Sequence, residues 1–216
     1  MTHVFFDLDG TLTDPAPGIL ACFRHAAAAL GRPLEGDLTR FIGPPLRDCF
    51  REILATDDDA LVEEAVRRYR ERFGAVGLFE NAVHPGIPDT LARLRADGLV
   101  LCVVTSKVAA YAERIIDHFG LREHLPVVYG AEMDGTRSEK AALLAHALRE
   151  QGVEPSRACM VGDRAHDIVG ARAHGLASVG VLWGYGSADE LRSAGADRLV
   201  GEVKDLRDAL LGLASP

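Results

Sequence analysis

Four groups of residues in this chain have the types and spacing that chemistry requires. The first is Asp7-Leu8-Asp9-Gly10-Thr11-Leu12-Thr13-Asp14, which follows a short apolar run. In extended backbone Asp7 and Asp9 share one face, roughly 6.5 Å apart along the strand. Carboxylates that close repel unless a cation or a shared proton lies between them. The second group is Thr105-Ser106-Lys107, which offers hydroxyls and the open N–H groups of a helix start. The third is Lys140, in the first turn of another helical pattern and after a Thr136-x-x-Glu139 capping box. A cation there opposes the helix dipole unless an anion binds nearby. The fourth is Gly162-Asp163-Arg164-Ala165-His166-Asp167, with two carboxylates one helical turn apart. A cluster of oxygen donors selects a hard cation, and Mg²⁺ is the expected one.

The elements that must position these groups can be read from the hydropathy pattern. Apolar runs at 3–8, 99–105, 126–129, 158–161 and 177–182 lack the alternation of a half-exposed strand. They read as strands of a sheet covered on both faces. Between them lie amphipathic helices, among them 107–119 and 137–150. Strand and helix in alternation mean an α/β fold, a doubly wound parallel sheet. In such sheets the site lies beyond the carboxyl ends of the strands, and three of the five runs end in the polar groups above.

Residues 15–81 break the alternation with helical patterns alone, so a small all-helical domain is expected after the first strand. The expected division is 1–14 with 82–216 as the α/β core, and 15–81 as a four-helix-like insert. Within it the arginines of 67–72 oppose the apolar stripe and read as a solvated face, while the aspartates of 57–59 favour a helix start.

Composition bounds what such a site can serve. The net charge of −8 argues against binding nucleic-acid polymers nonspecifically. No apolar run approaches the ~20 residues of a membrane span, and the first residues carry no secretory pattern. Four scattered cysteines without a Cys-x-x-Cys pair read as buried thiols in a reducing compartment. A cytoplasmic protein, monomer or homodimer, acting on a small molecule is the expectation.

Taken in order, Asp7-Leu8-Asp9-Gly10-Thr11-Leu12, Thr105-Ser106, Lys140 and Gly162-Asp163 with Asp167 resemble the four motifs of the haloacid dehalogenase superfamily. The resemblance spans essentially the whole chain. The insert after the first motif looks like the cap of the phosphoglycolate phosphatase-like branch. Gly43-Pro44-Pro45-Leu46, Asp134-Gly135-Thr136-Arg137-Ser138-Glu139-Lys140 and Gly184-Tyr185-Gly186-Ser187 look like a 5′-nucleotidase or general phosphatase subgroup. The resemblance implies a Mg²⁺-dependent phosphomonoester hydrolase. Asp7 is implied as nucleophile and Asp9 as general acid and base. The implied metal ligands are Asp7, the Asp9 carbonyl, Asp163 and Asp167, and the implied phosphate-binding groups are Thr105, Ser106 and Lys140. Ser106 stands where many relatives carry Asn, which leaves only its backbone contact implied. Arg47, after the Gly-Pro-Pro-Leu turn, is a candidate for facing the substrate.

Rival readings are a phosphosugar mutase with the same motifs, a haloacid dehalogenase, and a silent binding protein on this fold. Asp9 argues against the dehalogenase, and the intact set Asp7, Asp9, Lys140 and Asp163 against the silent protein. His84 reads as a loop residue at the return from the insert. Trp183 and Tyr185 follow the last strand, where they either border the site or pack.

Overall fold

The apolar runs become the centre of a parallel sheet in the structure, a computed structural model that describes residues 1–213. In chain order the strands are β1 (His3–Phe6), β2 (Thr13–Asp14), β3 (Ala82–Val83), β4 (Val100–Val108), β5 (Val127–Ala131), β6 (Ala158–Gly162), β7 (Ala177–Val181) and β8 (Arg198–Val200). The helices are α1 (Ala16–Ala29), α2 (Leu46–Leu54), α3 (Asp59–Arg72), α4 (Ile87–Ala96), α5 (Ala109–His118), α6 (Lys140–Gln151), α7 (Ala165–Ala173), α8 (Ala188–Ala194) and α9 (Leu206–Leu213). The chain divides into two compact units: Met1–Asp14 with the described part of Val83–Pro216, and Pro15–Ala82.

The first unit holds a six-stranded sheet in the order β5-β4-β1-β6-β7-β8. All its pairings are parallel, with Phe5 opposite Cys102 on one side and Met160 on the other. Because β1 lies between β4 and β6, the loops after these three strands converge at one end of the sheet. That convergence brings the four sequence groups within reach of one another. The core beneath them is apolar on both faces: Phe5, Cys102, Val104, Leu143, Leu144 and Met160 pack in one buried cluster. A separate two-stranded ladder pairs β2 with β3.

The second unit is helical. Phe23, Phe50 and Tyr69 meet at its centre, with ring centroids 5.3 Å and 5.0 Å from Phe23. Asp58 caps α3 by accepting from the Ala60 N–H at 2.9 Å. Arg67 is spanned by Glu64 and Glu71 on the exposed face, as the charge pattern implies. The unit has three α-helices with a 3₁₀ turn (Thr39–Phe41) and a π-helical turn (Phe73–Gly77), not a four-helix arrangement.

Local boundaries also differ from expectation. β1 ends at Phe6, so Asp7 and Asp9 lie in a tight loop and not on one face of a strand. Here the Leu12 and Thr13 N–H groups turn back onto the Leu8 carbonyl at 2.9 Å and 3.0 Å. β4 runs on to Val108 through an irregularity between Thr105 and Val108, which delays α5 to Ala109. α6 starts at Lys140 with Glu139 as N-cap, and no side chain caps it. The Thr136 capping box is therefore absent; Thr136 sits in the preceding loop, its carbonyl accepting from the Glu132 N–H at 2.9 Å. All four cysteines are buried and none forms a disulfide. Among the described residues no helix is long and apolar enough to cross a membrane.

Candidate active site

Lys140 is the first residue of α6, and its side chain is 1% exposed. Burying a cation at the positive end of a helix is unfavourable without anions. Two are supplied: Asp7 Oδ1 at 2.9 Å and Asp167 Oδ1 at 2.8 Å. The ammonium also donates to the Val104 carbonyl at 2.8 Å, the last apolar residue of β4 before Thr105. Burial lowers the Lys140 pKa, but the Asp167 and Asp7 charges more than reverse this and hold it above its ordinary value. The same ion pairing works on Asp7: burial raises its carboxyl, and Lys140 and His166 bring it below the usual range.

Asp9 has a cation of its own. Lys107 Nζ lies 2.9 Å from Asp9 Oδ2, with both side chains largely buried. Burial pushes the Asp9 carboxyl up, only partly opposed by Lys107. The sequence reading gave Lys107 no role, because nothing local ties it to Asp9; the irregular end of β4 does. Thr105 is buried there, its hydroxyl accepting from the Lys107 N–H at 3.3 Å, and Ser106 is half-buried beside it.

Asp163, at the end of β6, is fully buried. Its Oδ1 accepts from the Thr11 hydroxyl at 3.0 Å and its Oδ2 from the Tyr185 N–H at 2.8 Å. Burial, then the neighbouring Asp167 and Asp7 charges, push its carboxyl up to about 8. Glycines make the approach feasible. A Cβ on Gly10 would stand 2.3 Å from Asp163 Oδ2, and one on Gly184 2.4 Å from the Asp163 side chain. Asp167, in the first turn of α7, accepts from the Arg164 N–H at 3.1 Å.

The residues present fit a divalent cation. Asp9 Oδ1 is buried without a hydrogen-bond partner, and Asp7 Oδ1 and Asp167 Oδ1 share the Lys140 ammonium. A buried acceptor left unpaired is rare unless something else satisfies it. Four carboxylates here face two ammonium groups. Asp7, His166 and Asp167 each offer a ligand atom, all within 4.8 Å of one another. His166, quoted in the fourth group without a role, is brought beside the Asp7 and Asp167 carboxylates by the structure. Asp163 keeps lone pairs beyond its two hydrogen bonds, since a carboxylate has about four acceptor positions.

Two other candidates make contacts of their own. Arg47, on α2 in the helical unit, makes a two-point contact with Glu63 at 2.5 Å and 3.2 Å. The His84 N–H donates to the Leu12 carbonyl at 3.0 Å, while its Nε2 is buried without a partner. Trp183 and Tyr185 border the site: Trp183 Nε1 donates to the Thr11 carbonyl at 3.0 Å.

The first loop of this parallel α/β core thus carries paired aspartates, each matched by a lysine, at the carboxyl end of the central strand β1. Residues 4–181 match the family described as haloacid dehalogenase-like hydrolase, and the chain belongs to that family. A 5′-nucleotidase of Pseudomonas aeruginosa is 44% identical over 96% of this chain and 95% of its own length. The tyrosine-protein kinase PtkA of Mycobacterium tuberculosis is also 44% identical, over 96% of this chain and 72% of its own. The crystal structure of a predicted phosphatase from Clostridium acetobutylicum superposes with a TM-score of 0.93, at 36% identity and 98% coverage of both chains. The chain is thus a family enzyme that falls with phosphatases.

Proposed function

We propose that the protein is a Mg²⁺-dependent phosphomonoesterase of small phosphorylated metabolites that works through a phosphoenzyme on Asp7. The observation that carries this reading is the buried Lys140 ammonium, 2.9 Å from Asp7 Oδ1. A cation fixed beside a carboxylate nucleophile suits attack on an anionic group. Asp7 attacks phosphorus and the leaving oxygen departs, giving an aspartyl-phosphate. Asp9 gives the leaving oxygen a proton, consistent with a carboxyl pushed up by burial, and then takes one from the attacking water. The Thr105 hydroxyl and the Ser106 N–H bind phosphoryl oxygens. Asp7, the Asp9 carbonyl, Asp163 and Asp167 would hold the metal. When bound, Mg²⁺ neutralises charge so that two anions can meet.

On this reading the helical unit is a cap, and Arg47 is its candidate for recognising the leaving group. Preferred substrates are a 5′-nucleotide or a phosphoglycolate-like ester, in the cytoplasm and without a nucleic-acid or membrane partner. Phosphate release from a panel of phosphorylated metabolites, with Mg²⁺ and then with excess chelator, tests this. Full activity in chelator would refute it. The likeness to PtkA favours a second reading, in which a tyrosine in place of water accepts the phosphoryl group. Transfer of label from ATP to a tyrosine peptide, without matching phosphate release, would establish that one.

A further inference from the structure

The loop after β7 reaches the site by three separate contacts, and one residue makes two of them. Tyr185 donates its backbone N–H to Asp163 Oδ2 at 2.8 Å, and its phenol hydroxyl donates to Asp14 Oδ1. Trp183, two residues earlier, donates to the Thr11 carbonyl at 3.0 Å, while the Thr11 hydroxyl donates to Asp163 Oδ1 at 3.0 Å. Both oxygens of Asp163 are therefore held by residues that are themselves tied to the 11–14 segment. The loop has no slack at this point. A Cβ on Gly186 would stand 1.9 Å from the Asp163 carbonyl oxygen, and Gly184 is as tightly excluded at 2.4 Å. A backbone N–H has no rotamer of its own, so its aim depends on what anchors the peptide carrying it. The phenol is that anchor, because Gly184 and Gly186 on either side contribute no side chain.

We propose that Tyr185 is a positioning residue for the metal: its phenol, fixed on Asp14, holds the peptide that aims Asp163 at the divalent cation. The inference rests on the Mg²⁺ reading above and adds residues outside its ligand set. Hydrogen-bond partners that orient a ligating carboxylate change metal affinity by ~10-fold or more when removed. Tyr185→Phe removes the hydroxyl and leaves the N–H; Asp14→Ala removes the acceptor; Asp14→Asn keeps an acceptor.

The test is Mg²⁺ binding to the metal-stripped protein, measured by calorimetry and by emission of Trp183, the chain's one tryptophan, which sits in the same loop. Tyr185→Phe and Asp14→Ala should each weaken Mg²⁺ binding ~10-fold. The double variant should be no weaker than the worse single by more than about twofold, because both remove one contact. Asp14→Asn should bind within about twofold of the unmodified protein, which a general loss of folding would not allow. Wild-type affinity in Tyr185→Phe, or losses that multiply in the double variant, would overturn the inference while leaving the Mg²⁺ reading intact. No Mg²⁺ binding by the unmodified protein would overturn both.

Discussion

Lys107 Nζ lies 2.9 Å from Asp9 Oδ2, so each aspartate of the first motif has a lysine of its own, Lys140 serving Asp7. The two lysines come from different loops, after β4 and at the start of α6. This separates the charges of two neighbouring carboxylates without a shared proton. It also means that each aspartate can be perturbed through a different lysine.

Lys107→Met should therefore destabilise the fold and lower kcat. The Lys107 side chain is 7% exposed and that of Asp9 13%, so this is an interior pair and surface values do not apply. Removing one partner of a buried pair costs ~3 kcal/mol or somewhat more. The loss falls at the low end because Asp9, already pushed up by burial, can take a proton. Urea unfolding checks the stability and steady-state turnover checks the rate. Unchanged stability would mean that the pair contributes nothing net.

Asp7→Asn should abolish turnover and leave the fold in place. The amide keeps the shape and an oxygen facing Lys140, but it cannot attack phosphorus. The loss expected for a missing nucleophile is at least ~10³-fold in kcat. Phosphate release by a sample checked by mass spectrometry for deamidation measures it. A residual rate near wild type would move the nucleophile elsewhere.

Much of this site was legible because each residue ends an apolar strand, a pattern that survives in one dimension. Asp7, Asp163 and Thr105 follow runs whose lack of alternation marks central strands, and Asp167 follows one turn later. Lys107 was quoted with Thr105 and Ser106, yet its pairing was invisible. It depends on β4 staying extended to Val108, where periodicity alone starts a helix. Tyr185 was read as either bordering the site or packing, and its contact with Asp163 was hidden because it runs through backbone, which no side-chain type announces. β8 escaped notice since it has only three residues, one of them Arg198. The capping box failed because Thr136 and Glu139 match a pattern whose geometry the loop does not adopt.

Arg47→Ala should change kcat/KM unequally across substrates. Arg47 holds a bidentate contact with Glu63, which keeps its planar group oriented and pulls Glu63 below its ordinary carboxyl range. If it meets the leaving group, esters that carry an extra anion lose ~10-fold or more and uncharged ones little. Glu63→Gln, which removes the competing carboxylate, should shift the same substrates in the opposite direction. A uniform loss across the panel would assign Arg47 a structural role.

Mg²⁺ should raise the melting temperature, and by more at pH 8 than at about pH 6. The sign follows from Asp163, whose carboxyl is pushed from an ordinary 3.8 up to about 8 by burial and by the Asp167 and Asp7 charges. Between those values the folded, metal-free protein binds a proton that the unfolded chain has released. Its stability on this account falls as pH rises from about 4 toward 8. At the lower pH the cation must displace that proton, so binding is weakened; near pH 8 about half of the carboxylate is already ionised, so less proton displacement opposes binding and the cation relieves the repulsion. Because a ligand at free concentration L stabilises the folded state by RT ln(1 + L/Kd), the gain in melting temperature at a fixed Mg²⁺ concentration grows with affinity. Thermal unfolding with and without Mg²⁺ at a series of pH values measures the difference. Asp163→Asn should remove most of the metal-dependent gain and flatten its pH dependence, since the amide neither binds that proton nor carries the charge. A gain that shrinks with rising pH in the unmodified protein would remove Asp163 from the ligand set.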